Sequence, residues 1–201
     1  MECPHAPGFH AAVRARYGAA AQEFGRLVAA VPEDRWSAST PCPRWTVRDL
    51  VNHVTAQHMW VCQLLGGYTA EQLGRRFEGD VLGVNPGGVW RSAAHSGADA
   101  LAAPGAPDRL IHPPYGLRDA GGYAVELIAE TVVHSWDLAR ALGEPGRMAP
   151  EAAVFALSEF RGYRNLAATG LFEPALPAPA GADAQTRLLA LTGRDPAWAA
   201  L

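Results

Sequence analysis

An otherwise apolar stretch, ETVVHSWDLA from Glu130 to Ala139, carries three ionisable side chains. Residues four apart lie on one face of an α-helix, offset by about 40°. Glu130 and His134 therefore share a face, and Glu126 and Asp137 extend it in the two directions along the helix. The flanking surface is apolar and wide, whereas a surface helix normally shows one apolar stripe and a polar remainder.

Two interpretations of this ionisable stripe stay open. In the first, the stripe is the solvent-facing side of the helix, with a few side-chain hydrogen bonds. In the second, Glu130 and His134 point into the protein and bind a metal ion. A Glu-x-x-x-His pair often arises by chance, so the spacing alone favours neither interpretation.

A candidate third ligand, His53, lies on a different predicted helix, about 60° from the line of Leu50 at the edge of the apolar face. On its own, such a histidine is more often a buried structural residue than a ligand. With Glu130 and His134 it would form a site of two histidines and one carboxylate. Catalytic zinc takes three protein ligands and keeps a fourth position open, and the same set can hold Fe²⁺ or Ni²⁺. His58 is rotated by roughly 140° from His53, so the two do not share one metal easily.

Asp137 is a tentative catalytic residue of this site. It could orient His134 by a hydrogen bond, as the outer partners of metal-binding histidines do, or it could act as a base. A salt bridge with Arg140 or another arginine explains its presence equally well.

The composition limits the classes of function. The chain has 201 residues, 18% of them charged, and a net charge of -3, which fits one globular domain and gives no electrostatic footprint for nucleic acid. No apolar run is long enough to span a bilayer, and the first residues do not resemble a signal peptide, so we expect a cytoplasmic protein with no membrane partner. Three cysteines without CxxC spacing argue against a disulfide framework and a thiolate zinc site.

Helical periodicity and helix-end signals predict an all-α protein. The second helix should begin at Thr46, where TVRD is close to a capping box, and Gly66-Gly67 should end it. No alternating strand pattern is found; RLIH, from Arg109, could be a short extended piece but not a central strand. The predicted helices cover 9–31, 46–65, about 70–77, 88–103, 122–142, 150 to about 168 and 184–191. Long connections between some of them suggest a bundle with crossovers. We expect a flexible tail over 1–8 and a single domain over 9–201.

Three stretches carry a resemblance to a known family. STPCPRWTVRDLVNHV resembles a Thr-Pro-Cys-x-x-Trp-Thr-Val motif that opens the second helix and includes its histidine. ETVVHSWDLARALG resembles a Glu-x-x-x-His-x-Trp-Asp-Leu-Ala helix, and QTRLLALTGRDPAW resembles a C-terminal signature of small actinobacterial members. The chain thus resembles the DinB-like metal-binding four-helix bundles, and within them the actinobacterial branch related to mycothiol-dependent maleylpyruvate isomerase.

The resemblance implies a fold and a metal site. The fold would be a DinB-like four-helix bundle with long crossover loops and an extra C-terminal helix. The metal ligands would be His53, Glu130 and His134, and the metal would be zinc. Maleylpyruvate isomerases carry a further C-terminal domain that contributes to substrate binding, whereas this chain ends soon after its fifth long helix. The resemblance therefore implies the metal site directly and the thiol cofactor by inference from relatives, and it does not carry maleylpyruvate over as the substrate.

The functional hypotheses differ in the molecule that binds at the open position of the metal. The first is an enzyme that uses mycothiol as a nucleophile on a small electrophilic substrate, as a transferase or isomerase, because the thiolate is the reactive form of a thiol. The second is a hydrolase or lyase with metal-activated water. The third is a non-catalytic metal- or ligand-binding stress protein. We expect a monomer or homodimer with a small-molecule substrate and no nucleic-acid partner.

Overall fold

The structure is a computed structural model that describes residue 5 and residues 8–170 and 172–199. The flexible tail predicted over 1–8 falls mostly outside the described residues, as does Cys3, and both the tail and the single domain over 9–201 stay predictions. His5 is described: its ring stacks on Phe9, and it forms a hydrogen bond with Asp119.

The described part of the chain is mainly helical, which confirms the all-α prediction. The only ladder found within it is an antiparallel ribbon of β1 (Leu110–Ile111) and β2 (Arg118–Asp119). This ribbon contains the short extended piece expected from RLIH. The α-helices are α1 (Phe9–Ala29), α2 (Val47–Leu65), α3 (Ala70–Leu73), α4 (Pro86–Ala102), α5 (Ala120–Ala141), α6 (Pro150–Phe160) and α7 (Ala184–Leu191).

Four long helices form a bundle, in agreement with the predicted DinB-like fold. The helix α1 packs against α4 and α5, and α2 packs against the same two helices from the other side. The helix α6 lies on α5, and α7 lies on α6. Because α5 contacts α1, α2 and α6, all of its residues from 127 to 139 are buried. This position explains the wide apolar surface seen in the sequence.

The start of α2 follows the predicted capping box. The Thr46 hydroxyl accepts a hydrogen bond from the Asp49 backbone N–H, and the Asp49 carboxylate accepts one from the Thr46 N–H. These bonds satisfy two of the N–H groups that a helix start leaves unpaired. They also fix the first turn of α2, from which His53 follows one turn later.

Two predicted helices are shorter than expected. The helix predicted from 150 to about 168 ends at Phe160, because the chain tightens into i to i−3 hydrogen bonds over the next residues and Gly162 is a poor helix former. A separate 3-10 turn, Leu166–Thr169, follows. The helix expected over 70–77 ends at Leu73, since Gly74 takes a positive φ of 50°.

Within the described residues, none of the helices combines the length and the apolar character that crossing a membrane requires.

Candidate metal centre

The ionisable stripe of α5 is buried, so the solvent-face interpretation is wrong. Glu130, His134 and Asp137 expose only 6%, 1% and 0% of their surfaces. All three lie inside the bundle. A buried ionisable group needs a partner, because its desolvation is costly.

The structure brings His53 and His134 together from α2 and α5. Their ring centroids are 5.4 Å apart, and the rings meet edge to face at 79°. The Nε2 atom of each ring is buried and has no hydrogen-bond partner among the described residues. Buried polar atoms are normally satisfied, so two unpaired imidazole nitrogens on adjacent rings are consistent with a site for a metal ion.

Burial keeps both imidazoles neutral. It lowers the pKa of His53 to about 3, with a further contribution from the neighbouring His134. Burial also lowers the pKa of His134. A neutral imidazole has a lone pair on one nitrogen, and that is the form that binds metals.

Glu130 supplies a buried carboxyl group one turn before His134 on the same face of α5. Burial, together with the nearby charge of Glu126, raises the pKa of Glu130 to about 8. Glu126 itself accepts hydrogen bonds from Tyr115, Arg118 and Tyr163. Glu130 has no hydrogen bond of this kind within the described part of the chain, so a cation beside it would stabilise its ionised form.

Aromatic side chains enclose the two histidines. The Trp45 ring lies 4.5 Å from the His53 ring and 5.6 Å from the His134 ring, centroid to centroid. Phe172 stacks near His134 at 6.2 Å, with an interplanar angle of 11°. These rings exclude water from one side of the site, which strengthens electrostatic interactions inside it.

Asp137 determines which nitrogen of His134 is free. Its Oδ2 lies 3.0 Å from His134 Nδ1. Burial alone would raise the pKa of Asp137, but the charge of Arg194 and the bond to His134 hold it well below its usual range. An ionised carboxylate only accepts hydrogen bonds, so Nδ1 carries the proton and Nε2 carries the lone pair.

Two residues at Asp137 were missed as functional residues by the sequence analysis. The Cys42 thiol donates to Asp137 Oδ2 at 3.2 Å, and the Arg194 guanidinium donates to both carboxylate oxygens, at 3.0 and 3.3 Å. The salt bridge considered for Asp137 is thus made by Arg194 and not by Arg140. Cys42 and Arg194 lie in TPC and TGRDP, two segments of the stretches that resemble the family. Membership in these segments is the one sequence signal of their role.

Another set of possible metal ligands lies closer together in the structure than the predicted set. Among the described residues, Cys42, His134 and Asp137 are the trio whose ligand atoms all lie within 4.8 Å of one another, whereas the predicted ligands are not gathered as closely. Arg194 argues against a metal in that trio, because its Nη2 lies 2.9 Å from Cys42 Sγ and 3.0 Å from Asp137 Oδ2. A fixed positive charge there repels a cation, and the Cys42 thiol, His134 Nδ1 and the Asp137 carboxylate already have hydrogen-bond partners.

His58 lies away from this site, as its rotation on α2 predicted. It is buried, with Nδ1 2.7 Å from the Tyr17 hydroxyl and Nε2 3.1 Å from Thr131 Oγ1. Both ring nitrogens therefore have partners, and His58 serves the packing of α1, α2 and α5.

Two clefts differ in their relation to the candidate site. One, of about 530 Å³, opens between α1 and α6 on the opposite face of α5, where Val132, Trp136 and Phe155 line it, and it touches none of the predicted ligands. The other, of about 360 Å³, is lined by Trp45, the loop before α2 and the turn after α7. Trp45, whose ring packs on His53, is thus shared by the second cleft and the candidate site.

Comparison with known proteins is consistent with the resemblance in the sequence. A family model described as "Mycothiol maleylpyruvate isomerase N-terminal domain" matches residues 17–139, which include all three predicted ligands. Two uncharacterized proteins, from two strains of Mycobacterium tuberculosis, are each 32% identical over 144 residues, covering 69% of this chain and 71% of theirs. No solved structure matches the chain significantly.

Proposed function

Because the chain belongs to the mycothiol maleylpyruvate isomerase N-terminal domain family, we propose that it binds a divalent metal ion through His53, Glu130 and His134. We further propose that it is an enzyme that acts with a small thiol, mycothiol, on a small electrophilic substrate as a transferase or isomerase.

One observation carries the metal proposal: two buried imidazole Nε2 atoms on adjacent rings have no hydrogen-bond partner within the described part of the chain. An unsatisfied buried polar atom costs about 1–3 kcal/mol, and a metal ion would offset that cost for both atoms at once. The buried Glu130 carboxyl group would supply a negative charge. Two nitrogens and one oxygen suit zinc, with Ni²⁺ and Fe²⁺ as alternatives.

The surrounding residues prepare the three ligands for this role. Asp137 holds the Nδ1 proton of His134 and leaves its Nε2 lone pair available. Trp45 and Phe172 cover the histidines with apolar surface. We place the small molecule in the cleft of about 360 Å³ beside Trp45, because Trp45 lines this cleft and its ring also packs on His53.

The bound ion would supply an acidifying centre that keeps a coordinated thiol deprotonated. The thiolate is the nucleophilic form of a thiol, which suits an electrophilic substrate. The word mycothiol in the description of the matching family favours this thiol over others. Transferase and isomerase remain the two reaction classes that this chemistry serves.

Isothermal titration of mycothiol into the zinc-loaded protein tests the proposal. We expect one binding event at millimolar thiol or below, and its loss in metal-free protein and in His134→Ala. His95→Ala is a matched control, because the His95 side chain is 78% exposed on α4 and pairs with Asp99 one turn further along the helix. A zinc-loaded protein that binds no thiol at millimolar concentration would refute the thiol proposal and leave metal-activated water as the alternative.

A further inference from the structure

We propose that Arg194 is a positioning residue of the metal site: it fixes the Asp137 carboxylate, which in turn makes His134 present its Nε2 atom. This inference rests on the proposed function, since it concerns the same site. Arg194 lies beyond residues 17–139, the part of the chain that matches the family, so the match assigns it no role.

A sharp turn after α7 brings Arg194 into the protein. The chain leaves the helix at Thr192, whose buried hydroxyl bonds the carbonyl groups of Leu188 and Leu189. Gly193 then takes a positive φ of 73°, and a Cβ atom there would lie 2.7 Å from the backbone oxygen of Glu173. Only glycine fits such a position without strain, and the turn directs the next side chain inward.

The Arg194 guanidinium is almost fully engaged. It is 2% exposed. Nε and Nη2 donate to the two oxygens of Asp137, Nη1 donates to the Thr192 carbonyl at 2.6 Å, and Nη2 also donates to Cys42 Sγ at 2.9 Å. The guanidinium carbon, Cζ, lies 5.0 Å from the centre of the Phe172 ring. The planar fork of arginine therefore sets the plane of the carboxylate.

The orientation of Asp137 decides the tautomer of His134. Oδ2 receives hydrogen bonds from Arg194 and Cys42 and also faces His134 Nδ1 at 3.0 Å. With the guanidinium in place, its two-point contact holds the plane of the carboxylate and keeps Oδ2 on Nδ1. Without it, the carboxylate is free to rotate away from Nδ1, and the proton of His134 can move to Nε2. That tautomer has no lone pair on Nε2, the atom that would face the metal.

Nitrogen NMR of the histidine side chains in metal-free protein reads this tautomer directly. Two substitutions grade the effect: Arg194→Lys keeps the buried charge but loses the two-point fork, and Arg194→Met loses both. We expect the Nδ1–H tautomer of His134 in the native chain, a mixture in Arg194→Lys, and a larger share of Nε2–H in Arg194→Met. Arg187→Met, at an exposed arginine of α7, is the matched control and should match the native spectrum.

Zinc affinity gives the second measurement, which a purely structural ion pair would not change in a folded variant. Loss of an outer partner of a metal-binding histidine typically weakens metal binding about 10- to 100-fold, so we expect that loss in Arg194→Met and a smaller one in Arg194→Lys. If Arg194→Met does not fold, the tautomer and the zinc affinity of Arg194→Lys test the proposal alone. Native tautomer and native zinc affinity in folded Arg194→Lys, and in Arg194→Met where it folds, would overturn the proposal.

The two measurements separate the two proposals. If the native protein binds no metal, the proposed function fails, yet the tautomer in metal-free protein still tests the role of Arg194. If the native protein binds zinc and the tautomer does not respond to Arg194, only the positioning role fails.

Discussion

The two ring nitrogens of His134 have different environments, and that difference is the core of the site. Nδ1 faces an ionised carboxylate at 3.0 Å, whereas Nε2 is buried without a partner among the described residues. Its neighbour His53 also has a buried, unpaired Nε2. One engaged nitrogen and one free nitrogen is the usual state of a metal-binding histidine before the metal arrives.

His58 shows the contrasting case on the same helix as His53. Both of its nitrogens have hydroxyl partners, from Tyr17 and Thr131. It also packs edge to face on Trp90, at 4.7 Å between centroids. These contacts identify a structural histidine.

The first prediction separates these two kinds of histidine. His58→Ala should lower the free energy of unfolding by about 3 kcal/mol, because it leaves a cavity and two hydroxyl groups without their partner. Zinc stoichiometry should not change. Urea unfolding and elemental analysis measure the two quantities, with the exposed His95→Ala as control. A folded His58→Ala protein that had lost its zinc would show that His58 belongs to the metal site.

At the scale of the elements, local sequence signals predict most helix ends to within a few residues. The helix α7 was predicted over 184–191 and is found there, and the capping box at Thr46 starts α2 as expected. The end of α6 was predicted too late, because a run of moderate helix formers does not show where tertiary packing turns the chain. Phe160 is buried at that point, and Tyr163 turns back to bond Glu126.

Helical periodicity does not predict what surrounds the ionisable stripe of α5. Spacing places Glu130 and His134 on one face, but it does not say which element covers that face. The covering groups come from distant parts of the chain: Trp45 precedes α2, Phe172 follows α6 and Arg194 follows α7. Helix spacing offered His53 only as a candidate third ligand, and the family resemblance assigned it to the same site as the pair on α5.

The second prediction concerns the close approach of α1 and α4. A Cβ atom on Gly97 would collide with the Tyr17 hydroxyl, which is held by His58. Gly97→Ala should therefore lower the free energy of unfolding by about 2 kcal/mol, since overpacking outweighs the better helix propensity of alanine.

Gly18→Ala is the matched control, because Gly18 lies on the exposed side of α1 with open space around it. That substitution should raise the free energy of unfolding by up to about 1 kcal/mol. Thermal or urea unfolding of both variants measures the two changes in the free energy of unfolding. Equal stability of the two would show that α1 and α4 do not meet this closely.

At the scale of the whole molecule, the bundle and the C-terminal segment contribute different parts of the site. The three predicted ligands come from α2 and α5, inside the residues that match the family. Phe172 and Arg194 come from the chain after that match and close the site around His134. The bundle thus carries the predicted ligands, and the C-terminal segment forms part of their surroundings.

Zinc binding by the intact protein tests the central claim most directly. Elemental analysis and a chelator competition titration would compare the native chain with His53→Ala, Glu130→Gln, His134→Ala and Cys42→Ser. We expect one zinc per native chain, and affinity more than about 100-fold weaker in each of the first three variants, because they remove ligands and not merely outer partners. Cys42→Ser should retain one zinc per chain. Native zinc affinity in folded His53→Ala and Glu130→Gln, with loss of zinc in Cys42→Ser, would contradict the account and place the metal at Cys42, His134 and Asp137.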